Sequence, residues 1–296
     1  MKKLPDPVRA LPWLLRAVWV VLPLTAGPAL ASALHRHSHP LQTAAAVLLW
    51  LSWATVLIGT LVPHPLGLTA LRIVAPAAVV AAAVAAATGR PSPLADAGGL
   101  GSTLLALAVA LAPGTGRLYV NGPAYPNERR YPLRIPGPLL LGPLELAWAV
   151  TIAVPVTGTL LLASRSWAAG GVVLAVGLPV VAVLARSLHN LSRRWVVFVP
   201  AGVVLHDPLA LLDPVLIQTR VIEVLRPAPA DSDSLDLTQG APGLALELVL
   251  RQKVPMVLMK PGQRGGESGS SARLLFTPTR PGALLADAGS RRLPVG

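Results

Sequence analysis

Residues 117–142 read RLYVNGPAYPNERRYPLRIPGPLLLG. This stretch is the long polar interruption in an otherwise apolar first two-thirds of the chain. It carries Tyr119, Tyr125 and Tyr131, which are all of the tyrosines, and Arg117, Arg129, Arg130 and Arg134 against the single acid Glu128. Arginine and tyrosine gathered between long hydrophobic segments describe a loop at a membrane surface. The rings sit at headgroup level and the guanidinium groups face anionic lipid.

Working outward, the composition agrees with that placement. Hydrophobic residues make up 53% of the 296 and charged residues only 13%, about half the charge of an ordinary soluble chain. A net charge of +12 would suggest nucleic acid in a soluble protein. Here the positive charge lies between apolar runs, because Asp6, Asp96, Glu128 and Glu145 are the only acids before residue 190. Charge so placed orients a membrane protein, and no nucleic-acid partner is expected. With no cysteine there is no disulfide frame, thiolate metal site or cysteine nucleophile.

Six apolar segments have the length or near-length of a span. The first, 11–34, contains Arg16 near its start and ends in the small residues Ala29 to Ala33. That ending also fits a signal cleavage site, but the run is long for a signal and more spans follow. The second is 41–62, with Trp50 and Trp53 inside. The third, 68–88, is rich in Ala and Val, carries Arg72 near its start and kinks at Pro76; such a helix is expected to be enclosed by its neighbours. The fourth, 98–113, reaches spanning length only by recruiting 94–97, including Asp96. The fifth and sixth are 138–163 and 168–184.

Charge placement decides the count. With the N-terminus in the cytoplasm and six alternating helices, the cytoplasmic segments hold Lys2, Lys3, Arg9, Arg117, Arg129, Arg130, Arg134, Arg186, Arg193 and Arg194. The outer loops hold only Arg36, Arg90 and Arg165. Five helices would put the central loop or the N-terminus on the wrong side. The expected location is the inner (cytoplasmic) cell membrane, multi-pass, with both termini in the cytoplasm.

After residue 189 the composition turns mixed and the apolar runs shorten. Segments 195–200 and 203–206 flank Ala201-Gly202 as a hairpin, and 215–225, 244–251, 254–260 and 273–277 read as further strands. The polar pieces 227–243 and 261–271 read as loops or disorder, and 281–288 as a short closing helix with Pro281 at its start. The expected organisation is an α-helical integral membrane bundle over 1–189, with a basic cytoplasmic loop at 117–137, followed by a small, mostly-β cytoplasmic domain over 190–296.

The hairpin Arg194-Trp195-Val196-Val197-Phe198-Val199-Pro200-Ala201-Gly202-Val203-Val204-Leu205-His206-Asp207 resembles the opening of bacterial pleckstrin-homology-like domains attached to membrane helices. Through Asn127-Glu128-Arg129-Arg130-Tyr131-Pro132-Leu133-Arg134 and the run from Pro136 to Pro143, the whole chain is similar to a group of actinobacterial multi-pass membrane proteins. The resemblance implies a binding or assembly module rather than an enzyme.

Chemistry-bearing residues are sparse. His35, His37 and His39 alternate and share one side only if extended, so a solvated loop competes with a metal site. Glu145, the one acid inside a span, is a candidate intramembrane polar site, with Arg72 its expected partner. Asp207-Pro208 reads as a helix N-cap with proline at N1. Gly98 to Ser102 lacks the preceding strand and following lysine of a phosphate loop and reads as a helix-packing surface.

Two functions are compatible with these residues. In one, a non-catalytic, cofactor-free multi-pass protein presents its β domain to a protein partner through 190–296, or to anionic headgroups of the bilayer. In the other, a small-solute or ion transporter, or a membrane-embedded enzyme, uses Glu145 within the bundle. Tyr125, Arg129, Arg130, Tyr131 and Arg134 form the candidate docking surface, with Asp207, Asp213 and Glu223 as acidic counterparts in the C-terminal region.

Overall fold

The computed structural model describes residues 7–89, 92–259 and 265–296. Lys2, Lys3 and Arg90 of the charge pattern, Lys260 at the end of the expected strand 254–260 and residues 261–264 of the second polar loop lie outside them. The chain forms a bundle of long apolar helices followed by a small β domain with a short C-terminal helix. Two compact units are formed, one by 1–122 with 146–188 and the other by 123–145 with 189–296. The second unit thus draws in the central segment that the sequence leaves with the helices.

Among the described residues, six helices are long and apolar enough to cross a membrane. The first span bends where α1 (Pro7–Thr25) gives way to α2 (Gly27–Leu34). Pro28 has no N–H to offer the preceding turn, so the ladder weakens there, yet Ala26 N still donates to Leu22 O and Leu30 N to Ala26 O. Next come α3 (His39–Leu61), α4 (Pro65–Thr88) and α5 (Pro93–Leu111). The fourth span does recruit the residues ahead of Gly98: Ser92 Oγ accepts from Ala95 N, Pro93 occupies the first turn and Asp96 sits near the positive end of the helix.

α4 packs one face against its neighbours, with Leu68, Leu71, Ala75, Ala82 and Ala85 buried, while Leu66, Val80 and Val84 are exposed, so it is not enclosed in the way the sequence suggests. Indole N–H groups act as fasteners where no water competes for them. Trp19 donates to Trp53 O at 2.9 Å and Trp53 returns the bond to Trp19 O at 2.8 Å, joining α1 to α3. Arg16, rather than reaching for water, donates through Nε to Thr60 O at the end of α3, where helical carbonyls lack donors. Of the glycines of 98–102, Gly98 and Gly99 pack, Gly99 being buried against Ala26 and Ala29, while Gly101 faces open space; Thr25 Oγ1 donates to Ser102 Oγ.

The sequence misses α6 (Pro113–Asn121). Its Thr115, Tyr119 and Val120 are buried in the helical unit, so Tyr119 packs against protein. α7 (Pro143–Ala163) and α8 (Trp167–Ser192) meet through Gly158, Gly170 and Gly177, where any Cβ would collide with Leu174, Leu162 or Val154. Trp148 of α7 donates to Ile73 O of α4, next to the carbonyl of Arg72 that Pro76 leaves without its helical donor.

The second unit contains two four-stranded sheets. The first is antiparallel, in the order β1 (Arg129–Pro132), β2 (Trp195–Val199), β3 (Gly202–His206), β4 (Val215–Gln218). The second is ordered β5 (Ile222–Pro227), β7 (Leu246–Leu258), β8 (Glu267–Phe276), β6 (Leu235–Asp236), with β6 parallel to β8. α9 (Pro281–Ser290) closes the unit, and Leu284 and Ala288 enter its core. The run 215–225 is two strands in different sheets, split by a 3-10 turn at Thr219–Val221. The runs 244–251 and 254–260 join into one strand as far as Leu258.

Period-two alternation places Val196, Phe198, Val203, Leu205, Val215 and Ile217 of the first sheet in the shared core. The β2–β3 hairpin turns at Gly202, whose φ of +151° suits glycine, and a Cβ there would strike Ile217 O. The polar piece 227–243 is pinned rather than loose. The carboxylate of Glu247, 1% exposed, accepts from Ser232 Oγ, Ser234 Oγ and Arg226 Nε at 2.7–2.8 Å.

Candidate functional site

β1 positions the central residues. It pairs with β2 in the register Arg129↔Phe198, Arg130↔Val197, Tyr131↔Val196 and Pro132↔Trp195. Pro132 has no N–H for a ladder, which suits the edge position that β1 occupies. The strand is carried further by Leu133 N donating to Arg194 O, Arg134 N to Thr277 O and Thr279 N to Pro132 O.

Successive strand residues face opposite sides, so the candidate docking residues do not share one surface. Tyr131 points into the core. Its ring meets Phe198 edge-on at 5.5 Å and its hydroxyl donates to Asp287 Oδ2 at 2.9 Å. Burial first, and then the Asp287 carboxylate, push its phenol pKa well above the ordinary tyrosine value. Tyr125, 74% exposed, opens a turn closed by Glu128 N donating to Tyr125 O. Arg129 is exposed. Arg134 lies against Gly243, and its carbonyl accepts from Arg194 Nη1 at 2.7 Å.

The acidic counterparts are arranged differently from the expectation. Asp207 binds Arg194, whose Nε and Nη2 each donate to one carboxylate oxygen at 2.7 Å, with both side chains at most 3% exposed. Asp207 also accepts from Leu209 N, so it caps as the sequence suggests, but the chain beyond it makes a turn and not a helix. Asp213 and Glu223 are exposed.

On the outer face of β1–β3 lies a groove of about 240 Å³ lined by Glu128, Arg130, Arg193, Trp195, Val204 and His206, among others. Arg130 pairs with Glu128 at 3.3 Å and places its guanidinium 5.4 Å above the Trp195 ring. That ring stacks on His206 at 5.1 Å and 29°. His206 Nε2 is buried and has no hydrogen-bond partner among the described residues. Burial, then the nearby Arg193, lower the His206 pKa; Asp207 opposes this and Arg130 adds to it. Arg193, Trp195 and His206 were legible only as a topology charge and as hairpin residues. A second cavity, about 260 Å³ beside Arg291, has its cation committed to Asp287 and to Asn127 O.

Glu145 is exposed in the first turn of α7, and its Oε2 accepts from Gly142 N at 3.1 Å, which serves the helix N-terminus. Arg72 Nε is buried without a hydrogen-bond partner among the described residues, and a Cβ on Gly116 of α6 would come within 3.1 Å of its Nη2. Among the described residues no group of three or more His, Asp, Glu or Cys gathers as metal ligands, and His39 begins α3.

No protein-family model, no curated protein and no solved structure matches this chain.

Proposed function

We propose that this is a non-catalytic multi-pass protein of the inner (cytoplasmic) membrane that presents its β-rich unit, with a pleckstrin-homology-like arrangement, to a protein or lipid partner. The observation that carries the reading is the pairing of β1 with β2. β1 precedes α7 and β2 follows α8, so the two helices take the chain across and back, and the segments flanking the pair emerge on one side. Those segments carry Arg129, Arg130, Arg134, Arg193 and Arg194, the charge that holds a membrane segment in the cytoplasm. A β unit with its own buried core, assembled from two separate stretches of chain, suits a rigid presenting module.

The test is affinity capture from native membranes of the full chain and of a chain ended after Ser192, with bound proteins and lipids identified. Partners held by the full chain alone support the module. Identical sets from the two chains overturn it.

A further inference from the structure

We infer that the groove on the outer face of β1–β3 binds the phosphate of an anionic lipid headgroup, through Arg130, Arg193 and His206. The inference rests on the reading of the β unit as a presenting module and names what one of its surfaces takes.

Four observations carry it. First, Arg130 and His206 are held in place, while Arg193 is exposed at the groove's edge. Trp195, 8% exposed, lies between the Arg130 guanidinium and the His206 ring, so the three side chains form one stack across the strands. Second, the polar capacity is unfilled. A neutral imidazole has one N–H and one acceptor nitrogen, and His206 Nε2, buried with no partner among the described residues, is a position where an acceptor oxygen or an added proton would be satisfied. Third, the charge is matched to phosphate. The groove is lined by Arg130, Arg193 and Glu128, and by His206; Asp207, next in sequence, is consumed by Arg194. The sum is one positive charge with His206 neutral, which suits a phosphodiester, and two with His206 protonated, which suits a monoester. Guanidinium groups bind both with charge-assisted hydrogen bonds.

Fourth, the chain puts this groove beside a bilayer. α8 has 26 residues and is therefore about 39 Å long, more than the ~30 Å hydrocarbon core requires. Its last residue, Ser192, immediately precedes Arg193, and Trp195 comes within about 10 Å of chain. A headgroup is thus the nearest abundant source of phosphate.

The experiment uses the full-length protein, delipidated in detergent. Native mass spectrometry measures binding of phosphatidic acid, phosphatidylglycerol and phosphatidylcholine. A parallel calorimetric arm titrates inorganic phosphate and glycerol 3-phosphate. The variants are Arg193→Gln, His206→Phe, which keeps a ring against Trp195, and Arg165→Gln, which removes the same charge from the turn between α7 and α8. Arg193→Gln is expected to weaken phosphatidic acid binding about tenfold or more, the loss of one charge-assisted contact, while Arg165→Gln matches wild type. Wild-type binding of phosphatidylglycerol, whose phosphodiester keeps its single charge across this range, is expected to be tighter at pH 5.5 than at pH 7.5, and His206→Phe to abolish that difference. Binding of soluble phosphate with none of the anionic lipids overturns the lipid source. Absence of binding in both arms, or equal effects of Arg193→Gln and Arg165→Gln, overturns the site. Partner proteins still captured by the full chain in that event leave the module reading standing.

Discussion

Replacing Asp207 with alanine leaves the guanidinium of Arg194, 2% exposed, buried with Arg134 O as its remaining acceptor. Removing one member of a buried ion pair costs about 3–5 kcal/mol, because the surviving charge is neither solvated nor compensated. A domain is stable by roughly 5–15 kcal/mol, so this is a large share of the margin. The damage is directed. Arg194 holds the end of β1 through two bonds, Nη1 to Arg134 O and its own carbonyl from Leu133 N, so β1 should loosen first. The assay is hydrogen exchange combined with urea-dependent proteolysis on the full chain in nanodiscs. The expected result is a lowered urea midpoint and lost protection at the Leu133 and Arg134 amides, while the helical spans keep theirs. Arg194→Met/Asp207→Leu is the control: with both charges gone, stability should recover a large part of the loss, short of the bonds to Arg134 O and from Leu209 N that the pair also makes. A cost below about 1 kcal/mol for Asp207→Ala, or a double variant no better than the single one, would refute the reasoning.

Residues 190–296 made alone lack β1 and open the edge of β2, so they should melt at a lower temperature than the same segment with 126–138 joined through a linker; equal melts would remove β1 from the fold. Glu247 is buried, which by itself raises its pKa, but hydrogen bonds from Ser234 and Ser232 and the contact with Arg226 outweigh this and hold it below the usual carboxylate value. Its stabilising contribution is therefore complete above the unfolded value of about 4.5 and lost as pH falls through the folded one; Glu247→Gln should flatten the acid limb of the stability curve, and an unchanged limb would show that another group sets it. Reporter fusions after Arg36 should lie outside and those after Arg134 and Arg194 inside, and an external signal at Arg134 would remove the six-helix topology.

The membrane-spanning helices were legible because the property that selects them is local. A run of about 20 apolar residues must bury its own backbone hydrogen bonds in lipid, whatever the rest of the chain does. The same holds for the β2–β3 turn at Gly202, set by its immediate neighbours; Asp207 was legible as a cap but not the turn that follows it, and Ser92-Pro93 at the start of α5 lies ahead of the segment the sequence marks as that span. Tertiary structure decided what depends on distant partners. β1 is four residues long and ends in proline, so its alternation is too short to read; it becomes a strand only because β2, more than sixty residues on, supplies the ladder. The pairing of Arg194 with Asp207 in place of the loop arginines, the anchoring of the 227–243 loop on Glu247 and the burial of Tyr119 have the same cause. The candidate groove was hidden for a related reason. β2 is apolar on both faces, Val196 and Phe198 inward and Trp195 and Val197 outward, so no amphipathic pattern marks its outer side. Only the register of three strands brings Arg130, Trp195 and His206 into one stack, and register is a property of pairing, not of any single segment.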